Sequence, residues 1–336
     1  MSIKVIKPGI QTTVQDLGRF GHQKEGVIVS GAMDRFSLRA ANLLVGNPEH
    51  EATLEATLAG PTLYFEEEQV IAITGADMAP AVNGVPIKMW RPALIRSGST
   101  LELNHAKVGC RSYISVAGGL MLPKVMGSHS TYLRAGLGGF KGRVLKADDL
   151  LPCLGFNPQA VPLAAPLQET AIGQWFSQAN WSIDPQQHSL YEEEVIVRVL
   201  RGLEYELFSE SSQSYFWNDK FQVSPNSDRM GYQLLGSPLV TSEPKELLSS
   251  AVTFGTVQVP PNGSPIILMA DHQTTGGYPR IAQVISADLP KLAQVQPGKM
   301  IRFKETDLKE AHELYLQQEL NMEQLRSALS LKLQAT

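Results

Sequence analysis

Two cysteines in 336 residues, Cys110 and Cys153, are too few for a disulfide framework. No Cys-x-x-Cys and no Cys/His cluster of zinc-ligand spacing accompanies them, so both read as core thiols and no metal site is expected. Charge is sparse as well: 18% of the residues are Asp, Glu, Lys or Arg and the net charge is -4, which leaves no electrostatic case for nucleic acid. No run of about 18 apolar residues occurs, and the amino-terminal MSIKVIKPGIQTTVQDLG lacks the apolar core of a signal peptide. The expectation is a soluble cytoplasmic protein with no membrane partner and a small-molecule substrate. Three catalytic signatures are missing too: the phosphate-binding Gly-x-x-x-x-Gly-Lys-Ser/Thr, the Gly-x-Ser-x-Gly elbow and His-Glu-x-x-His.

What the chain does contain is a set of markers that occurs twice in one order. Val29, Ser30, Asp34 and Arg35 spell Val-Ser-x-x-x-Asp-Arg, and Val223, Ser224, Asp228 and Arg229 spell it again. A Leu-x-Gly-x-x-Leu run follows each, at Leu58, Gly60, Leu63 and at Leu234, Gly236, Leu239. Asn-Gly-x-Pro-Ile closes each, from Asn83 to Ile87 and from Asn262 to Ile266. A period of half the chain is far longer than a solenoid repeat and predicts two related lobes with a cleft.

Short runs rich in Val, Ile, Leu and Thr, punctuated by Gly and Pro, predict strands over 70–74, 95–103, 111–116, 195–200, 266–270 and 300–303. Asn83-Gly84 and Asn262-Gly263 predict tight turns, because both residue types tolerate positive φ. One helix is expected to begin at an Asp34 cap and to end at Gly46, while its counterpart after Asp228 is interrupted by Gly231. Residues 155–187, with Pro158, Pro162, Pro166 and Pro185, read as a linker between a first lobe over about 1–154 and a second over about 188–304, with exchange of strands between the lobes allowed. The tail, 305–336, reads as one or two amphipathic helices with Leu308, Ala311 and Tyr315, then Met322, Leu325 and Leu329, on the apolar faces.

The densest polar patch is the run Asp271 to Arg280, where a strand enters a Gly-rich loop. Gln273, Thr274, Thr275 and Tyr278 can converge on a ligand there, while Gly276 and Gly277 let backbone N–H groups approach an anion or carbonyl oxygen. A turn whose side chains satisfy local backbone groups is an equally good reading of that composition. Asp34 is read as a helix cap, whereas Asp228 and Arg229 are read as site residues, Arg offering its planar fork to an anion. Asp77 stands at a strand end, where it would either transfer a proton or close a turn. Ser128, Thr131 and Arg134, followed by the Gly-rich 136–143, would hold phosphate oxygens or form a solvated basic loop.

Seven ordered motifs carry a resemblance. Val-Ser-Gly-Ala-Met-Asp-Arg (29–35), Leu-Val-Gly-Asn-Pro-Glu (44–49), Thr-Gly-Ala-Asp (74–77) and Ser-Val-Ala-Gly-Gly (115–119) lie in the first half. Gly-Ser-x-Ser-Thr-Tyr-Leu-Arg-Ala-Gly-Leu-Gly-Gly (127–139), Ser-Pro-x-Ser-Asp-Arg-Met-Gly-Tyr (224–232) and Ala-Asp-x-Gln-Thr-Thr-Gly-Gly-Tyr-Pro (270–279) follow. Together they resemble the KipA family, also described as the PxpC component of 5-oxoprolinase, allophanate hydrolase subunit 2 or the biotin-dependent carboxyltransferase domain family, over about residues 3 to 304.

That resemblance implies a mainly β fold of two cyclophilin-like β-barrel lobes, which with the tail makes two barrels plus a C-terminal helical segment. It implies one component of a hydrolase, inactive alone, that opens 5-oxo-L-proline to L-glutamate with ATP and magnesium used at the level of the complex. The implied partners are a KipI- or PxpB-like protein and a PxpA-like protein. Relatives fused to biotin modules transfer a carboxyl group from carboxybiotin to urea, so biotin enters only under that alternative, and this chain has no biotin-acceptor Ala-Met-Lys-Met. A regulatory role, antagonising a KipI-like kinase inhibitor, is a third implication. Placed on this sequence, the resemblance puts the cleft at Asp228, Arg229 and residues 273–278; the residue types themselves, and not the family, then suggest Arg229 on an anion, Gln273 with the Gly276 and Gly277 amides polarising a carbonyl, and Asp77 or Asp271 moving a proton.

Overall fold

The computed structural model describes residues 1–156, 160–184, 194–243 and 247–334, without the side chains of the last two. Of the prolines in the expected linker, Pro158 and Pro185 lie outside the described residues. The chain divides into two compact units: residues 1–19, 34–190 and 321–336 form the first, and residues 20–33 and 191–320 the second.

The first unit is built on β1 (Ser2–Lys7), β2 (Gln11–Gln15), β3 (Thr53–Thr57), β4 (Thr62–Phe65), β5 (Gln69–Asp77), β6 (Ala81–Val82), β7 (Val85–Pro86), β8 (Pro92–Ile95), β9 (Thr100–Glu102), β10 (Val108–Val116), β11 (Leu150–Pro152) and β12 (Phe176–Gln178). They form two six-stranded sheets, in the orders β11-β1-β4-β9-β6-β7 and β12-β8-β5-β10-β3-β2. Alternation decides the faces. In β3, Leu54 and Ala56 enter the core with Val14, Ile73 and Ile114, which leaves Thr53, Glu55 and Thr57 on the other face. Asn83 and Gly84 join β6 to β7 with φ of 47° and 80°, the pair of positive values that a tight hairpin turn needs.

Helix α1 (Arg35–Leu44) starts where its cap places it: Oδ1 of Asp34 accepts from the Ser37 amide at 2.9 Å and Oδ2 from the Ser37 hydroxyl at 2.6 Å. Its Phe36, Ala40 and Leu43 pack with Val70 and Ala72 of β5, and Gly46 turns the chain away at φ 73°. Helix α2 (Val161–Thr170) and β12, which pairs with β8, occupy the stretch expected to be a linker. Pro162 is tolerated there because the first turn of a helix has N–H groups to lose. The expected strand over 95–103 is two, β8 and β9, separated by a turn at Ser97 and Gly98.

The second unit is a closed seven-stranded barrel, in the order β13-β20-β17-β18-β15-β14-β21. Its strands are β13 (Glu194–Arg201), β14 (Phe221–Val223), β15 (Gly231–Leu235), β17 (Thr256–Gln258), β18 (Ile266–Leu268), β20 (Arg280–Val284) and β21 (Met300–Glu305), while β16 (Ser250–Ala251) and β19 (Thr275–Gly276) form a small sheet of their own. Val197, Val223, Val257, Ile267, Ile281 and Phe303 fill the barrel, joined by Met33 from the amino-terminal segment of this unit. After Ser209, whose hydroxyl caps it, comes α3 (Glu210–Asn218), with Phe216 stacked on Phe303 at 4.4 Å between ring centres. A short α4 (Leu289–Ala293) precedes β21. No helix follows Asp228: Gly231 opens β15, where a side chain would meet Ile266 at 2.8 Å.

The tail is the single helix α5 (Leu308–Gln334), whose residues to Leu320 go with the second unit and from Asn321 with the first. Met322 and Leu329 are buried and Leu325 packs with them, as the pattern predicts. Leu308 and Tyr315 are exposed instead, and of the first predicted apolar face only Ala311 is buried. The two units exchange segments: residues 20–33 go with the second unit, and the first keeps the stretch to residue 190 and the end of α5.

Candidate functional site

Strand β18 delivers the chain to Asp271, and the loop beyond it returns as β19 and then β20. Asp271 is buried with Arg229 in a bidentate ion pair: Nε of Arg229 donates to Oδ2 and its Nη2 to Oδ1, both at 2.9 Å. Ser30 donates its hydroxyl to Oδ1 of Asp271 at 2.6 Å, and Nη2 of Arg229 also donates to the Gly31 carbonyl at 2.6 Å. Ser30 and Gly31 have φ of 57° and 94°. Arg229, expected on an anion, bonds to a carboxylate and a carbonyl here, and Asp271, expected to move a proton, accepts three hydrogen bonds, two from Arg229 and one from Ser30. Backbone hydrogen bonds complete the anchor, the Asp271 amide donating to the Arg229 carbonyl at 2.8 Å.

Beyond the anchor the loop is more open. Thr275 and Gly276 pair with Ala251 and Ser250, so Gly276 belongs to a short two-stranded ladder between strands distant in sequence. The Thr274 carbonyl accepts from Val252 at 3.2 Å, Thr275 is exposed, and the His272 ring contacts the Gln273 carbonyl. Gly277 and Tyr278 line a groove of about 680 Å³ with Phe208, Leu239, Val259 and Pro260. Asp228 is exposed and its carboxylate closes a turn, accepting from the amides of Met230 at 2.8 Å and Gly231 at 3.2 Å.

In the first unit the expected site residues take structural work. The Asp77 carboxylate accepts from the Ala79 amide at 2.8 Å and closes the turn after β5. Ser128 donates to Asp16 at 2.7 Å, and Asp16 also accepts from Ser130, from the His129 amide at 2.6 Å and from the Gly18 amide at 2.8 Å. Burial alone would raise the Asp16 carboxyl; the hydroxyls of Ser130 and Ser128 and the two amides outweigh it and hold the group below its ordinary value. Thr131 donates to the Val14 carbonyl at 2.9 Å, so neither hydroxyl faces a phosphate. Arg134 is exposed, and Arg143 is clamped to Asp149 by two bonds of 2.7 Å. The arrangement does not fit the phosphates of ATP. Among the described residues no group of three or more His, Cys, Asp or Glu stands together as a metal cage. The two cysteines are buried, and burial pushes the Cys153 thiol up to about 12.

One polar cluster is invisible to sequence pattern. Glu55, on the face of β3 turned from the core, is 1% exposed and accepts the Tyr113 hydroxyl at 2.7 Å, while that hydroxyl accepts from the Asp34 amide at 2.8 Å. Burial first, then the charges of Glu55 and Asp34, raise the Tyr113 phenol well above its ordinary value. Gln15 and Thr53 face each other across β2 and β3, both fully buried, with Oε1 of one and Oγ1 of the other lacking a hydrogen-bond partner. Thr-Leu-Glu-Ala-Thr reads as a half-exposed strand; only the burial of both faces marks it as unusual.

The model of the carboxyltransferase domain, subdomain A and B, matches residues 25–305. The chain belongs to this family. Among its carboxyltransferase-domain relatives are the C subunit of 5-oxoprolinase from Escherichia coli, 40% identical over 324 residues, and that from Haemophilus influenzae, 38% identical over 327; each comparison covers 96% of this chain and 97% of the relative. The urea amidolyase of Saccharomyces cerevisiae is 32% identical over 314 residues, 90% of this chain but 16% of that protein. The crystal structure of Kluyveromyces lactis urea amidolyase superposes with a TM-score of 0.84 at 30% identity, over 96% of this chain and 20% of that one. The carboxyltransferase fold, mostly β with few helices, is thereby established for this sequence.

Proposed function

We propose that this chain is the C subunit of an ATP-dependent 5-oxoprolinase, which opens the lactam of 5-oxo-L-proline to L-glutamate together with its A and B subunits. One observation carries the reading: the two proteins named as the C subunit of 5-oxoprolinase match at 38–40% identity from end to end, whereas the urea amidolyases contain a comparable stretch as 16–18% of a longer chain. Hydrolysis of an unstrained lactam is slow, and coupling it to ATP supplies an activated carbonyl carbon. Because the loop at 128–143 does not fit phosphate, no nucleotide step is routed through these residues; ATP and magnesium act at the level of the complex. The chain is inactive alone in this reading, works in the cytoplasm, and takes a KipI- or PxpB-like protein and a PxpA-like protein as partners. No helix among the described residues is long and apolar enough to cross a membrane.

On this reading Arg229 and Asp271 fix the base of the loop, and Gln273 with the Gly277 amide polarises the lactam carbonyl as negative charge develops on its oxygen. Transfer of a carboxyl group from carboxybiotin to an amide is the second reading, supported by the family match and the superposition on urea amidolyase. The test is ATP-dependent glutamate release from 5-oxoproline by this protein with and without its cognate PxpA-like and PxpB-like partners. Release that requires all three proteins is expected; none from a verified complex, with consumption of carboxybiotin instead, would move the assignment to carboxyl transfer.

A further inference from the structure

The loop that starts at Asp271 ends at Arg280, where β20 begins, and this end is gripped by Glu204, 76 residues earlier and just past the end of β13. Both oxygens of the Glu204 carboxylate are spent on that one residue. Oε2 accepts from the Arg280 amide at 3.1 Å and from its Nε at 2.7 Å, and Oε1 accepts from Nη2 at 2.6 Å. In return the Glu204 amide donates to the Arg280 carbonyl at 3.3 Å. Gly202 makes room for this approach, since a Cβ there would lie 2.1 Å from the same carbonyl oxygen. The hydrogen bond from the guanidinium holds the Glu204 carboxyl below its ordinary value, so the pair is charged at neutral pH.

The remaining arm of the guanidinium reaches the loop itself. Nη1 of Arg280 donates to the Ala251 carbonyl at 3.3 Å, and Ala251 is the ladder partner of Thr275. A ladder of two residues per strand is marginal by itself, and one further bond, from the Val252 amide to the Thr274 carbonyl, extends it. On the other side the Val259 amide donates to the Pro279 carbonyl at 2.9 Å. Gly277 and Tyr278, which line the groove, lie between these two fastenings. Glu204 and Arg280 are 15% and 18% exposed, and β20 supplies the barrel core with Ile281, Ala282 and Val284 instead. A partly solvated pair outside the core adds little to overall stability, so its effect falls on where the loop stands.

We infer that Glu204 is a positioning residue for the proposed reaction: through Arg280 it fixes residues 274–279, so that the Gly277 amide and the Gln273 side chain meet the lactam carbonyl together. The inference rests on the proposed function for its chemistry and deepens it by a residue that acts only through another. Glu204→Gln keeps the shape but loses the charge and one acceptor. Arg280→Lys keeps the charge, but a single nitrogen cannot span Glu204 and Ala251.

The experiment reads both variants in two ways. Hydrogen exchange in the isolated full chain follows the amides of Val252 and Val259, whose acceptors are the Thr274 and Pro279 carbonyls. Both are expected to exchange about tenfold faster or more, with the melting temperature within about 3 °C of the parent. The Met269 amide, bonded to the Met230 carbonyl ahead of Asp271, is expected to stay as protected as before. Kinetics in the assembled three-protein complex follow kcat and KM for 5-oxo-L-proline. The two donors act on charge that develops only in the transition state, so kcat is expected to fall about tenfold or more while KM changes less than about threefold. The double variant should fall no further than the worse single one, because both act through one contact. Exchange unaltered in both variants, or a loosened loop with kcat intact, would overturn the role. Loss of protection throughout the barrel would overturn it too, by making the pair a residue of the fold. A loosened loop in a chain whose parent complex releases no glutamate would sustain the hold of Glu204 on the loop and overturn the substrate.

Discussion

Arg229 and Asp271 make a two-bond ion pair inside the second unit, and Ser30 completes it from a segment far earlier in the chain. A pair this buried is costly to break from one side, because the remaining charge stays out of water. Asp271→Ala is expected to destabilise the protein by about 3–5 kcal/mol, against about 1 kcal/mol for Ser30→Ala, which removes a hydrogen bond and no charge. Urea denaturation compares the two. Equal losses would mean that Arg229 finds another counter-charge and that the pair is not the anchor of the loop.

The Asp16 carboxyl predicts an acid limb. Its folded value lies below the ordinary 3.8, so the protein gains stability from it above that value and loses the gain as pH falls through the folded one. Asp16→Asn is expected to lower stability at pH 7 and to flatten the dependence below about pH 4, a window set by the ordinary carboxylate value. Denaturation midpoints between pH 3 and 7 test this, with Asp149→Asn, whose carboxyl is lowered chiefly by Arg143, as the comparison. An unchanged slope in Asp16→Asn would remove the hydroxyl and amide cluster as the cause.

Much of this architecture is legible in residue order. The Asp34 cap, the Asn83-Gly84 hairpin and the core strands at 70–74 and 111–116 all obey local rules, and the structure follows them. The linker reading fails because four prolines and weak periodicity look alike in a loop and in a short helix packed on a sheet; Leu163, Ala164 and Leu167 supply the apolar face of α2 that composition hides. Asp228 and Asp34, identical in the duplicated motif, diverge in role because only one is followed by a helix. For the candidate site, position on the loop is readable and partnership is not. The bond from Arg229 to Asp271 joins residues 42 apart, and the ladder that holds Gly276 joins it to residues 250 and 251.

Tyr113 gives an alkaline limb of the opposite sign. Its phenol is raised by burial and by the nearby Glu55 and Asp34 charges, so the neutral form is the stabilising one. The contribution is present below the ordinary value of 10.0 and is lost as pH rises above it toward the folded value. Tyr113→Phe is expected to cost about 1–3 kcal/mol at pH 7 by taking a donor from Glu55 and an acceptor from the Asp34 amide. It should also remove part of the stability loss above pH ~10. Denaturation at pH 7 and 11 checks both; a variant as stable as the parent at both would show that the hydroxyl is dispensable to the sheet.

Gly139 and Gly142 decide whether the 128–143 loop is a scaffold or a ligand loop. A Cβ at Gly139 would fall 1.9 Å from the Thr131 hydroxyl, and one at Gly142 1.9 Å from the Gly136 carbonyl oxygen, at φ of 53° and 65°. The Gly136 backbone cannot yield that far, the buried Thr131 hydroxyl is tied to the Val14 carbonyl, and a left-handed conformation adds about 1–2 kcal/mol for any residue with a side chain. Either Gly→Ala change is therefore expected to lower thermal stability of the isolated chain, whether or not substrate or nucleotide is present. Lys141→Ala, which removes an exposed cation held over the Phe140 ring, is expected to leave stability within about 0.5 kcal/mol. The readout is the melting temperature of each variant alone and in the complex. If Gly139→Ala and Gly142→Ala melt like the parent but abolish turnover, the loop binds a ligand; if they melt early and Lys141→Ala turns over normally, its glycines serve the fold.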